Sequence, residues 1–106
     1  MIQVIVKKNG KEITGFHIEG HSGYADSGRD IVCAAVSALA INCINSIDSF
    51  TDDVYHVGSE EESGMIDFNI QGEVSDEAGL LLKSLLLGLS EISKTYGKQY
   101  LTVRNR

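Results

Sequence analysis

Gly20-His21-Ser22-Gly23-Tyr24-Ala25-Asp26-Ser27-Gly28-Arg29-Asp30-Ile31-Val32-Cys33-Ala34-Ala35-Val36-Ser37-Ala38-Leu39 is the stretch on which the reading of the whole chain turns. A strand-like alternating run ends in a histidine, a loop with two glycines follows, and then a helix opens with a cysteine in its first turn. Asp30 has the character of an N-cap, because its carboxylate can accept from the free N–H groups that begin a helix. Cys33 then lies where the helix dipole favours negative charge, an effect of roughly 0.3–1 kcal/mol and up to ~2 in partly buried sites. That lowers a thiol pKa by about one unit at most. His21, as an imidazolium, would lower it further. The stretch therefore reads as a reactive site with a thiol and an imidazole at its centre.

Toward the N-terminus, residues 2–8 and 11–20 alternate as two strands joined at Asn9-Gly10, a strong hairpin signal. Ile2, Val4 and Val6 share one face, and Phe16 and Ile18 alternate with His17, Glu19 and His21 on the other. Toward the C-terminus, a helix from about Ile31 to Ile47 carries a core stripe of Val32, Val36, Leu39, Cys43 and Ile47. At 100° per residue, Cys33 lies about 80° from the centre of that stripe, with Ser37 one turn on along its own side. Cys43 falls inside the stripe and reads as core packing. A disulfide between two positions so placed on one helix is geometrically implausible.

Asp48 to Asp53 reads as a polar connection. Val54–Val57 and Met65–Ile70 read as a second hairpin around the acidic tip Gly58–Gly64, a solvated turn before it is anything else. A second helix starts at Ser75 or Asp76, with Asp76 and Glu77 suited to its N-terminal dipole, and runs to about Tyr96 before Gly97. Leu81, Leu85, Leu89 and Ile92 make its core stripe, while Leu80 and Leu87 fall among Ser84, Glu91 and Lys94. A helix apolar on two sides can meet a second subunit or be covered by loops of its own domain. Tyr100 to Val103 forms a last short strand. The fold class is α+β in the order ββαββαβ, with a mainly antiparallel sheet and two helices.

The 106 residues amount to a single domain spanning 1–106, with enough chain for one core. Net charge is −6, which disfavours direct binding of nucleic acid and suits a basic partner. Two cysteines and no secretory pattern in Met1–Lys7 lead us to expect a cytoplasmic protein. The leucine-rich run Leu80–Leu89 is interrupted by Lys83, Ser84 and Gly88 and is too short to span a bilayer, so no membrane partner is expected. No cofactor is implied.

Two residues in the opening stretch, Cys33 and His21, carry the chemistry, and Asp30 and Ser37 are candidates for a supporting part. Cys33 and His21 together suit nucleophilic attack on a carbonyl, the histidine serving as base and then acid. Asp30 is a cap first, and a third member orienting His21 second. Ser37 has a place either inside the site or bonded back to the Cys33 carbonyl. A metal site of His17, His21 and Cys33 is the rival chemistry, weakened by the lack of any CxxC or helical HxxxH pattern, so no metal is expected. The loop of Ser22, Gly23, Tyr24, Gly28 and Arg29 is suited to cover the site, since its glycines leave the backbone free to move.

Gly20-His21-Ser22-Gly23-Tyr24-Ala25, Gly28, Asp30-Ile31-Val32-Cys33-Ala34-Ala35 and Ser37-Ala38-Leu39 resemble the signature of the ribosomal-processing cysteine protease family, Prp. The resemblance implies His21 and Cys33 as the catalytic pair, with Asp30 and Ser37 in the active-site region and the intervening loop closing over substrate. It further implies a homodimer. The implied activity is removal of an N-terminal extension from the basic large-subunit ribosomal protein L twenty-seven during ribosome assembly. A non-catalytic ribosome-assembly factor that binds the same basic protein, using the Cys33 region as a groove, is the alternative.

Overall fold

Alternation of period two and period 3.6 predicts a mainly antiparallel sheet with two helices, and both are found. A computed structural model describes residues 1–26 and 28–105; Ser27, in the expected covering loop, and Arg106 lie outside the described residues. The elements are β1 (Ile2–Asn9), β2 (Glu12–Glu19), α1 (Ile31–Phe50), β3 (Val54–Glu60), β4 (Met65–Gln71), α2 (Asp76–Tyr96) and β5 (Leu101–Asn105). The sheet order is β3-β4-β2-β1-β5. β5 runs parallel to β1, and the other three pairings are antiparallel. The expected class and order, α+β and ββαββαβ, are those observed.

The first hairpin turns one residue later than Asn9-Gly10. Asn9 pairs with Glu12, so Gly10 and Lys11 are the central residues. Gly10 alone of the two has positive φ, at 66°, as a type II′ turn requires. A bulge between Lys7 and Lys8 absorbs one extra residue of β2, which keeps both Ile13 and Phe16 on the buried face. The second hairpin is longer than its apolar run, because β3 continues through Ser59 and Glu60 and leaves only Glu61–Gly64 to turn. α1 likewise continues past Ile47 to Phe50, where the Thr51 hydroxyl and N–H both donate to the Ile47 carbonyl.

Ile2, Val4, Val6, Phe16, Ile18, Phe68 and Leu101 form the covered face of the sheet, with Phe16 and Phe68 stacked at 5.4 Å between centroids. On α1 the buried stripe is Val32, Val36, Ala40, Cys43 and Ile47. Leu39 is only partly buried, because it reaches sideways to α2. There a Cβ on Gly88 would come within 2.8 Å of the Leu39 side chain. Gly88 is thus a seat for Leu39, which sets how closely the two helices approach. The stripe of α2 is rotated from expectation: Ala78, Leu82, Leu85, Leu89 and Ser93 are buried, and Leu81 and Ile92 flank them. By length and composition α1 is apolar enough to cross a membrane, with mean hydropathy 1.7. In the fold its stripe packs in the protein's own core.

The uncovered face of the sheet carries a polar network. Asp67 Oδ1 accepts from Lys7 Nζ at 2.6 Å and from His17 Nδ1 at 2.8 Å, and His17 Nε2 donates to Glu19 at 2.9 Å. Asn69 donates to Asp67 Oδ2 and accepts from Lys7. Two carboxylates on one imidazole favour its protonated form, so the Glu19 and Asp67 bonds raise His17 above its ordinary 6.5. Burial pulls Asp67 upward, but the bonds from Lys7, His17 and Asn69 outweigh it and hold the acid down at about 2. Linkage gives the signs: His17 stabilises fully below its unfolded pKa of 6.5, and this is lost as pH rises through the raised folded value. Asp67 stabilises above 3.8, and this is lost as pH falls toward about 2. His17→Gln should therefore lower Tm relative to the unmodified protein more at pH 6 than at pH 9. Thermal melts across that range check it, and a pH-independent difference would refute a charged His17.

Candidate active site

The site is built where β2 ends and α1 begins. Asp30 caps α1: its Oδ1 accepts from the Cys33 amide at 2.9 Å and its own carbonyl accepts from the Ala34 amide. Its Oδ2 accepts from the Ser22 hydroxyl, and the same Ser22 oxygen accepts from the Tyr24 amide at 3.1 Å. Ser22 is 2 % exposed, and its main-chain N–H donates to Cys33 Sγ at 3.3 Å. Burial alone would raise the Asp30 carboxyl. The Ser22 hydroxyl and the Cys33 and Ala25 amides, joined by the Cys33 thiol, hold it below its ordinary value instead. The cysteine sulfur thus sits at a helix N-terminus with a main-chain donor aimed at it.

His21 arrives at the same place by a break in the strand. Alternation would keep it on the polar face with His17, but Gly20 takes φ 102° and ends the alternation. His21 instead lines an open cleft of about 780 Å³ together with Cys33, Asp30, Ser37, Gly23 and Gly28. Its Nε2 lies 2.8 Å from the main-chain carbonyl oxygen of Glu62, in the β3–β4 turn. A carbonyl only accepts, so Nε2 is the donor, and among the described residues no bond is made to Nδ1.

The structure brings His21, Cys33, Asp30 and Ser37 to one cleft and takes His17 to the opposite face, where both its nitrogens meet carboxylates. Among the described residues no three His, Cys, Asp or Glu side chains gather as a metal-holding group. The Asp30 carboxylate bonds to Ser22 and Cys33, and the group bonded to the His21 ring is the Glu62 carbonyl, so the capping geometry is the one formed. The covering loop divides. Ser22 is buried and tied to the helix cap, whereas Gly23 and Gly28 line the cleft. Tyr24 packs edge-on against Tyr96 and Tyr100, and the exposed Arg29 closes a turn by its amide on Asp26. Cys43 is buried, its thiol facing the Leu81 carbonyl and pushed up to about 11 by burial.

Two contributions were not read from the sequence, although Ser22 itself was placed in the covering loop. Ser22 acts as the bridge between the cap and the sulfur, and only its spacing of eight from Asp30 hints at it. The Glu62 carbonyl has no signal at all, since every residue has a carbonyl.

A helix-opening thiol, held by a main-chain donor and sharing a cleft with an imidazole that has a free nitrogen, belongs to the cysteine peptidases. Known proteins agree: the chain belongs to the cysteine protease Prp family, whose model matches residues 1–101, and it is an enzyme of that class. It is 28% identical over 97 residues to the ribosomal processing cysteine protease Prp of Staphylococcus aureus strain Mu50, covering 92% of this chain and 91% of the relative. It is 27% identical over 101 residues to that of Bacillus subtilis strain 168, covering 91% and 90%. Among solved structures, S. aureus Prp with a covalently linked product peptide superposes with a TM-score of 0.94 at 26% identity, over 100% of both chains. The S. aureus enzyme with a substrate peptide gives 0.88 at 25%, again over 100% of both.

Asp30→Ala should cost about 0.5–2 kcal/mol, as loss of a helix cap does. It should also free the Ser22 hydroxyl and so loosen the Ser22 amide on Cys33. Asp30→Asn, which keeps an oxygen acceptor, should retain more of both. Chemical denaturation read alongside the rate of Cys33 alkylation checks this pairing; a stability loss with unchanged alkylation would separate the cap from the sulfur.

Proposed function

We propose that the chain is an endopeptidase that removes the N-terminal extension of a large-subunit ribosomal protein, L twenty-seven, with Cys33 as nucleophile and His21 as base and acid. The observation that carries this reading is the sulfur held by the Ser22 amide in a cleft where His21 keeps Nδ1 free. His21 Nδ1 takes the thiol proton, and the thiolate forms a C–S bond to the scissile carbonyl carbon. The tetrahedral oxyanion collapses, the C–N bond breaks, and the imidazolium gives its proton to the leaving amine. Water then attacks the thioester as Nδ1 accepts its proton, releasing the acid and restoring the thiol. Oxyanion donors come from the N-terminal end of α1.

The substrate assignment draws on the relatives' names as ribosomal processing proteases and on charge. Glu60 and Glu61 of the acidic hairpin line the cleft, which favours encounter with a basic protein. The chain acts in the cytoplasm, without nucleic acid or membrane as direct partner. The Gly23–Arg29 loop covers bound peptide. Leu80 and Leu87, exposed by 68% and 64% on α2, supply the contact of a symmetric dimer.

Incubation with the extended ribosomal protein, followed by mass spectrometry, should yield one internal cut. Cys33→Ala and His21→Ala should abolish it, and Cys43→Ala should lower stability while cleavage persists. A Cys33→Ala protein that cleaves at the normal rate overturns the assignment. An inert Cys33 thiol together with tight binding of the uncut protein would favour a non-catalytic assembly factor. Leu80→Glu with Leu87→Glu should convert dimers to monomers by light scattering; an unmodified protein that is monomeric at high micromolar concentration defeats the dimer.

A further inference from the structure

Resting on the reading of His21 as the base, we infer that the β3–β4 turn Glu61–Gly64 is the element that positions it, with the Glu62 carbonyl as orienting group and Gly64 as the positioning residue. Cysteine–histidine sites need the imidazole held in one tautomer, a task that a carboxylate or amide side chain often performs. Here no side chain is bonded to the His21 ring among the described residues; the bond goes to the main-chain oxygen of Glu62 at 2.8 Å. That oxygen can only fix Nε2 as the donor, which leaves Nδ1 as the nitrogen able to accept from Cys33.

A main-chain carbonyl orients a ring only if its own backbone is held, and the turn is held against β2 by two features. The Gly20 amide donates to the Ser63 carbonyl at 2.9 Å, so the residue just before His21 is bonded to the residue just after Glu62. Gly64 then lies so close that a Cβ on it would meet the Gly20 carbonyl oxygen at 2.5 Å and His21 Cε1 at 3.2 Å. Absence of a side chain at position 64 is therefore what permits the ring and the turn to approach. The same turn lines the cleft through Glu61 and Gly64, so a peptide seated there touches the element that holds the base.

The molecule supplies its own control. Gly10 and Gly64 share φ 66°, yet a Cβ on Gly10 would meet nothing within 4 Å. Gly10→Ala and Gly64→Ala thus both put a side chain at the same positive φ, and only the second also pushes on Gly20 and His21. Gly10→Ala should keep kcat within twofold of the unmodified protein. Gly64→Ala should lower kcat by roughly 10–100-fold, as ångström-scale misplacement of a reacting group does, with a smaller change in KM. It should also displace the pH profile of Cys33 alkylation. Imidazole nitrogen NMR on the unmodified protein should show His21 protonated at Nε2 when neutral, and Gly64→Ala should mix the tautomers. A Gly64→Ala enzyme with kcat within twofold of Gly10→Ala overturns the inference. So does a His21 protonated at Nδ1 in the unmodified protein, a result available even if Gly64→Ala does not fold. Full cleavage by His21→Ala would instead defeat its role as base, while the tautomer experiment would still report on the turn.

Discussion

One carboxylate ties together the parts on which the site depends. Asp30 satisfies the Cys33 amide of α1 and takes the Ser22 hydroxyl, so Ser22, shortly after β2, is fastened to the cap of α1 across the seven residues between them. Ser22 cannot shift without breaking that bond, and its amide is the donor to the Cys33 sulfur. A helix cap that would stabilise any helix by about 1 kcal/mol is here also the anchor of the Cys33 sulfur. Negative charge on Asp30 would oppose a thiolate if it faced one alone. Its hydrogen bonds to Ser22 and to the amides spend that charge on the cap.

Cys33 reaches the cleft from the start of α1, and His21 from just past the end of β2. β2 pairs with β4 in the register Ile18 with Ile66, which carries the following Gly20 to the side of the Glu61–Gly64 turn. Ile2 and Ile18 line the cleft and also belong to the core, so the packing that holds the sheet together also supports the wall of the cleft. A shift of one residue in that pairing would turn Ile18 outward and carry the strand end away from the turn. Register, not only burial, is what the core supplies to the site.

The element order was legible because period two and period 3.6 are both strong in this chain, and because Asp30 and Ser75 are the caps their chemistry suggests. The separate fates of Cys33 and Cys43 were legible from helical projection alone. Finer rotation was not. Leu82 rather than Leu81 faces the core because α2 leans on α1 where Gly88 admits Leu39, a tertiary fit that periodicity does not encode. His17 and His21 could not be separated by alternation, since one left-handed glycine between them sends the second to the other side. Main-chain groups leave no trace in sequence, which is why the partner of His21 became visible only with the fold.

The loop that follows His21 brings a constraint of its own. Gly23 and Gly28 both have positive φ, 73° and 87°, so the glycines serve the resting shape as well as any movement. Between them Tyr24 sits edge-on to Tyr96 at 5.5 Å and Tyr100 at 5.1 Å, against the far end of α2 and the approach to β5. Edge-to-face aromatic pairs contribute about 0.5–1.5 kcal/mol each beyond their buried area. Closure that lifted Tyr24 from this seat would forfeit both pairs, and contacts with the peptide would have to replace them. Closure that pivoted at Gly28 and left Tyr24 in place would forfeit neither. Ser22, on the N-terminal side of Tyr24, is fastened to Asp30, so a movement of that kind would leave the donor to the Cys33 sulfur where it is.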